Sequence, residues 1–112
     1  MNKKETEKLY VRLQKIKKLL SELGEMRPGS LSTQYNVCGT PNCRCKHPEK
    51  PVKHGPYYQI SYTRKGRSKT EFVKAEDVKM VKQQLQNYQV FKKLTDEWVE
   101  LSLSLARLHK LK

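Results

Sequence analysis

All three cysteines of the chain fall within eight residues, Cys38-Gly39-Thr40-Pro41-Asn42-Cys43-Arg44-Cys45, and His47 and His54 follow closely. A tetrahedral zinc ion asks for four thiolate or imidazole ligands, and a tight turn supplies two or three of them at little entropic cost. A chain of this composition gains from a metal staple, a long helix pairing or a partner subunit. Of its 112 residues 36% are hydrophobic and 31% charged, which is marginal for a self-supporting core. The N-terminus, Met1-Asn2-Lys3-Lys4-Glu5, is charged and carries no apolar signal region. No run approaches the ~20 apolar residues of a membrane span. A cytoplasmic protein with no membrane association is therefore expected, in a reducing setting where clustered cysteines bind metal more readily than they pair as disulfides.

Cys38 and Cys43 bracket the turn Gly39-Thr40-Pro41-Asn42, and Cys45 joins them if the chain curls around the ion. The fourth ligand is His54 or His47. His47 continues the every-second-residue spacing but would crowd Cys43 and Cys45, so His54 is preferred. Two other fates are open to the thiols: redox chemistry, with Arg44 and Lys46 lowering a pKa, or inert burial, for which the segment is too polar. Glu49 is the only acid in the loop, and a catalytic zinc usually keeps an open position and a general base. No nucleophile–base–acid constellation and no Gly-rich phosphate loop accompany it. A closed structural site, Cys38, Cys43, Cys45 and His54 around Zn2+, in a protein that is not an enzyme, is the expectation.

The net charge of +13 is concentrated. Residues 27–74 hold ten basic side chains against Glu49 and Glu71, a net +8, and both flanks are much nearer neutrality. Excess charge gathered in one segment points to a polyanion-binding face.

The flanks read as helices. Leu9, Leu13, Ile16, Leu20 and Leu23 alternate four and three residues apart, an a/d seam over about residues 5–23 that Gly24 and Pro28-Gly29 end. From Ala75 to about Lys110 nothing breaks a second helix of roughly 50 Å. Antiparallel pairing would leave Leu101, Leu103, Leu105, Leu108 and Leu111 as an apolar overhang, to be covered by homodimerisation or a partner protein. Between the helices, Leu31 to Val37 reads as a short strand. Tyr57 to Arg64 and Arg67 to Val73 read as a hairpin turning at Lys65-Gly66. The expected fold is α+β: two long helices, an antiparallel coiled-coil-like stalk, flanking a small zinc-knuckle and β-hairpin module. Three segments follow: an N-terminal helix over 1–26, the basic module over 27–74 and the C-terminal helix over 75–112.

Arg44, Lys46, Arg64, Lys65, Arg67 and Lys69 are the candidate nucleic-acid contacts, supplying charge to phosphates more than sequence discrimination. Tyr57, Tyr58 and Tyr62 offer stacking surfaces for unpaired bases, although at least two of them are needed for the small core.

Gly29-Ser30-Leu31, Cys38-Gly39-x-Pro41-x-Cys43-Arg44-Cys45, His54-Gly55-Pro56-Tyr57-Tyr58 and Asn87-Tyr88 together resemble an uncharacterised family of small basic proteins of bacteria and archaea. The resemblance covers about residues 27–108. It implies a zinc knuckle with His54 rather than His47 as fourth ligand, and an association with mobile elements. It supplies no catalytic residues. The function expected is a non-enzymatic, zinc-containing DNA- or RNA-binding protein. The rivals are a coiled-coil adaptor between proteins with a purely structural knuckle and, more weakly, a thiol-based sensor.

Overall fold

The computed structural model of the chain describes residues 3–36, 43–49 and 52–109. Residues 1–2, 37–42, 50–51 and 110–112, Cys38 and Leu111 among them, lie outside these ranges. The element order is α1 (Lys3–Ser21), β1 (Ser30–Asn36), a 3-10 turn (Arg44–Lys46), β2 (His54–Arg64), β3 (Arg67–Val73), a second 3-10 turn (Ala75–Asp77) and α2 (Val78–Leu108). The class is α+β, with a three-stranded antiparallel sheet ordered β1-β2-β3 and two helices of unequal length, 19 and 31 residues. Among the described residues no helix is long and apolar enough to cross a membrane. The chain divides into two compact units, Met1–Arg27 with Gln86–Lys112, and Pro28–Leu85.

In the first unit the α1 seam turns inward, with Leu13 and Ile16 buried and Leu9, Leu20 and Leu23 half-buried. On α2, Leu94 and Leu105 are buried and Trp98 half-buried. Contacts between the helices run in opposite chain directions. Lys17 Nζ sits 5.5 Å from the centre of the Trp98 ring, and Tyr10 Oη lies 3.4 Å from His109 Nε2. Asn87 donates to the Glu25 carbonyl oxygen at 2.8 Å, holding the segment that follows α1. Among the described residues the expected C-terminal overhang is absent: Leu105 is 8% exposed, and Leu101 and Leu108 are half-buried. The first eight residues of α2 belong to the other unit, so its extra length falls at the N-terminal end. Leu103 alone of the described overhang residues stays exposed.

Ile16 has no exposed surface. Ile16→Ala is expected to cost this unit about 2–5 kcal/mol, the transfer loss plus the cavity left behind, read by denaturant unfolding.

Arg12 donates to both carboxylate oxygens of Glu97, Nε to Oε2 at 2.5 Å and Nη2 to Oε1 at 2.7 Å. This fork holds the Glu97 carboxyl below its ordinary value, first by hydrogen bonding and then by charge, and raises Arg12 in return. A carboxyl depressed in the folded state stabilises fully above its unfolded value and loses that contribution as pH falls through the folded one. The stability advantage of the natural chain over Glu97→Gln should therefore be constant above about pH 5 and shrink below about pH 4. Both side chains are over a third exposed, so the effect is modest and weakens with salt.

In the second unit the hairpin turns at Lys65-Gly66 as expected, and both residues take positive φ, 52° and 76°, which makes it a two-residue type I′ turn. The register Leu31↔Ile60, Ile60↔Glu71, Tyr62↔Lys69 and Arg64↔Arg67 fixes the two sheet faces. Leu31, Tyr58, Ile60, Tyr62 and Val73 share one face, with Ile60 buried and the others half-buried. The opposite face carries hydroxyl pairs, Ser61 with Thr70 at 3.1 Å and Thr63 with Ser68 at 2.8 Å. Phe72 stands on that polar face with 77% exposure, and Tyr57 is 41% exposed.

Candidate metal centre and basic pocket

Cys43 itself is extended (φ −71°, ψ 149°), and the chain then closes one 3-10 turn. Lys46 N–H donates to Cys43 O at 2.9 Å, and His47 N–H to Arg44 O at 3.2 Å. A further bond from Val52 N–H to Arg44 O, 2.8 Å, ties the far end of the loop back onto the turn. This is the curl that the Cys-x-Cys spacing demands, since two residues of straight strand would hold the sulfurs too far apart to share an ion. Cys45 is 2% exposed, whereas Arg44 and Lys46 on either side of it face solvent.

His54 comes from a different element. It is the first residue of β2 and the register partner of Asn36, at the end of β1. Gly55 follows with φ 138°, a conformation L side chains rarely adopt, and a Cβ there would lie 2.8 Å from the Gln34 carbonyl oxygen. The irregularity in β1 between Gln34 and Asn36 presses the neighbouring backbone against Gly55. Glycine is thus required by close approach, and that approach fixes where His54 stands.

The ligand atoms of Cys43, Cys45 and His54 all lie within 4.8 Å of one another, with Cys43 Sγ 3.0 Å from His54 Nε2. Bonds of about 2.3 Å to sulfur and 2.0–2.1 Å to nitrogen place neighbouring tetrahedral ligands roughly 3.5–3.8 Å apart. The observed separations bracket those values, so these three residues could hold a metal ion. No carboxylate joins the group among the described residues. Of the two candidate histidines, the structure brings His54 to the thiols. His47 is exposed, and its Nδ1 accepts the Glu49 backbone N–H at 3.2 Å. Cys38 lies outside the described residues.

The six candidate cations are all exposed. Arg64, Lys65, Arg67 and Lys69 converge with Tyr62 on one pocket of about 470 Å³ at the hairpin tip. Tyr58 and Tyr62 are the half-buried tyrosines of the set, and Tyr62 serves both core and pocket.

The conformation of the His-Gly-Pro segment entering β2 is only partly legible in the sequence. Its Gly-Pro pair reads as a strand breaker, yet the strand begins at His54. The Val52–Arg44 bond gave no signal at all.

No curated protein and no solved structure matches the chain. A family described as a domain of unknown function, DUF6788, matches residues 6–83. The match takes in nearly all of α1, the cysteine loop and the whole sheet, and it ends within α2. Having a match over more than half its length, the chain belongs to the DUF6788 family.

Proposed function

We propose that the chain is a non-enzymatic nucleic-acid-binding protein whose basic module is shaped by a structural zinc ion. The observation that carries this is the pocket of Arg64, Lys65, Arg67 and Lys69 around Tyr62, whose lining holds no acid. Four cations on one concave surface, in a chain of net charge +13, favour a polyanion that offers several phosphates at once.

Zinc is favoured by the donor set, two thiols and an imidazole without a carboxylate, which suits a borderline-soft ion better than calcium or magnesium. Cys38 is proposed as the fourth ligand. It follows Asn36 by two residues, and Asn36 pairs with His54. Three cysteines and a histidine close the coordination shell, leaving no position for a catalytic water. The zinc's contribution is to hold Arg44 and Lys46 on a fixed turn, so that they add to the cationic surface. Cysteine thiolates as ligands suit a reducing cytoplasm. Helices α1 and α2 would act as a coiled-coil-like stalk carrying the module.

The experiment is a binding titration with DNA and RNA strands for the natural chain and for the triple variant Arg64→Glu, Lys65→Glu, Arg67→Glu. Binding at low salt that the variant loses supports the function. Absence of binding by the natural chain at low salt removes it.

A further inference from the structure

We propose that the hairpin-tip pocket takes one nucleotide unit of a single strand, its base against the ring of Tyr62 and its phosphate among Arg64, Arg67 and Lys69. This specifies the ligand of the nucleic-acid function proposed above and rests on it.

Three observations point the same way. Register places the aromatic ring and three cations on one face: Tyr62 opposite Lys69, and Arg64 opposite Arg67. Lys65 adds a fourth charge from the turn, and the volume of about 470 Å³ falls in the range of small-ligand sites. A duplex would use this tip poorly. Its bases are stacked and show only their edges, whereas an unpaired base offers a π-face to a tyrosine. A plain phosphate track would need the cations but not the ring.

The pocket is also held in shape. The Thr63–Ser68 hydroxyl pair lies on the opposite face between the Arg64/Arg67 and Tyr62/Lys69 rows, fixing the register from behind. The type I′ turn sets the separation of the two arginines. Planar guanidinium groups on adjacent strands suit the forked recognition of a phosphate. Glu71, the nearest acid along the same face of β3, pairs with Ile60 in register and does not line the pocket. Beside the base of the Tyr62 side chain, Gly29 runs close to β2: a Cβ there would lie 3.4 Å from Tyr62 Cβ and 2.8 Å from Ser61 O. The stem of Tyr62 is therefore flanked by close-lying main chain, and the residue lines the cavity.

The test compares three probes of equal length at one low salt concentration by fluorescence anisotropy: a single strand, an abasic strand with the same phosphates, and a duplex. The natural chain should hold the single strand about tenfold or more tighter than the abasic strand, the worth of one base stacked on an aromatic ring. Tyr62→Phe should keep that preference. Tyr62→Leu should abolish it, bringing the single-strand and abasic-strand affinities together. Equal binding of single and abasic strands by the natural chain would overturn the pocket assignment yet leave salt-dependent nucleic-acid binding in place. That comparison holds even if Tyr62→Leu fails to fold. If no probe binds, both the pocket and the function beneath it fall.

Discussion

Replacing Cys45 with serine should strip the metal from the chain and unfold the sheet, while the helical pairing around Ile16 and Leu94 persists. Cys45 is the most deeply buried member of the ligand group, and the described core of its unit holds little else beyond Ile60 and Val81. Burying a large apolar side chain stabilises by about 1.5–3 kcal/mol, whereas fixing each residue's backbone costs about 1–2 kcal/mol. Two such side chains cannot order a three-stranded sheet with one open face. A structural zinc supplies on the order of 10–16 kcal/mol in small domains, enough to decide whether the module folds. Amide hydrogen exchange provides the readout. Protection should vanish across β1, β2 and β3 in Cys45→Ser and in the chelated natural chain, and remain in α1 and the later turns of α2. His47→Ala should leave both sets unchanged, because its imidazole stands outside the ligand group. A sheet that stays protected in Cys45→Ser would mean that it folds without the ion.

Nucleic-acid affinity should fall by ~10³-fold between 50 and 200 mM salt if about six phosphates are contacted, through release of condensed counterions. Six is the number of exposed cations on the 3-10 turn and the hairpin tip: Arg44, Lys46, Arg64, Lys65, Arg67 and Lys69. Reversing Arg64, Lys65 and Arg67 should both collapse affinity and flatten the salt slope. These side chains are exposed and flank a turn, so their reversal leaves the fold intact. Arg44 and Lys46 are poorer targets, because they neighbour Cys43 and Cys45 and a change there would also disturb the ligand group. An adaptor working through its helices would bind its partner equally well before and after the reversal. A slope near zero would mean that the charge is only a solvated surface.

Much of the local structure was legible in the residues. Leu9, Leu13, Ile16, Leu20 and Leu23 trace the seam of α1 because helical spacing depends only on neighbours in sequence. Lys65-Gly66 announced the hairpin turn, because few residue pairs accept two positive φ angles. The alternation of Tyr58, Ile60 and Tyr62 placed them correctly on one face.

What stayed hidden is non-local. The Arg12–Glu97 fork joins residues 85 apart, and no pattern in either helix marks it. The pairing of Ser30 with Ser61 makes β1 the third strand of the sheet, and it brings the Gln34 carbonyl against Gly55. That contact explains why a glycine follows His54, where sequence alone showed only a turn residue. The expected overhang of α2 failed for a similar reason. Periodicity gave the helix its length, but which end carried the excess depended on packing between segments far apart in the chain. At the metal centre the donor types were readable, and the 3-10 turn that lets Cys43 and Cys45 converge was not.

Native mass spectrometry of the chain purified without chelator tests most directly whether an ion organises the module. One zinc per chain is the expected mass increment, lost together with sheet protection when the metal is removed. A chain that carries no metal, whose sheet is already folded and does not respond to added zinc, would contradict it.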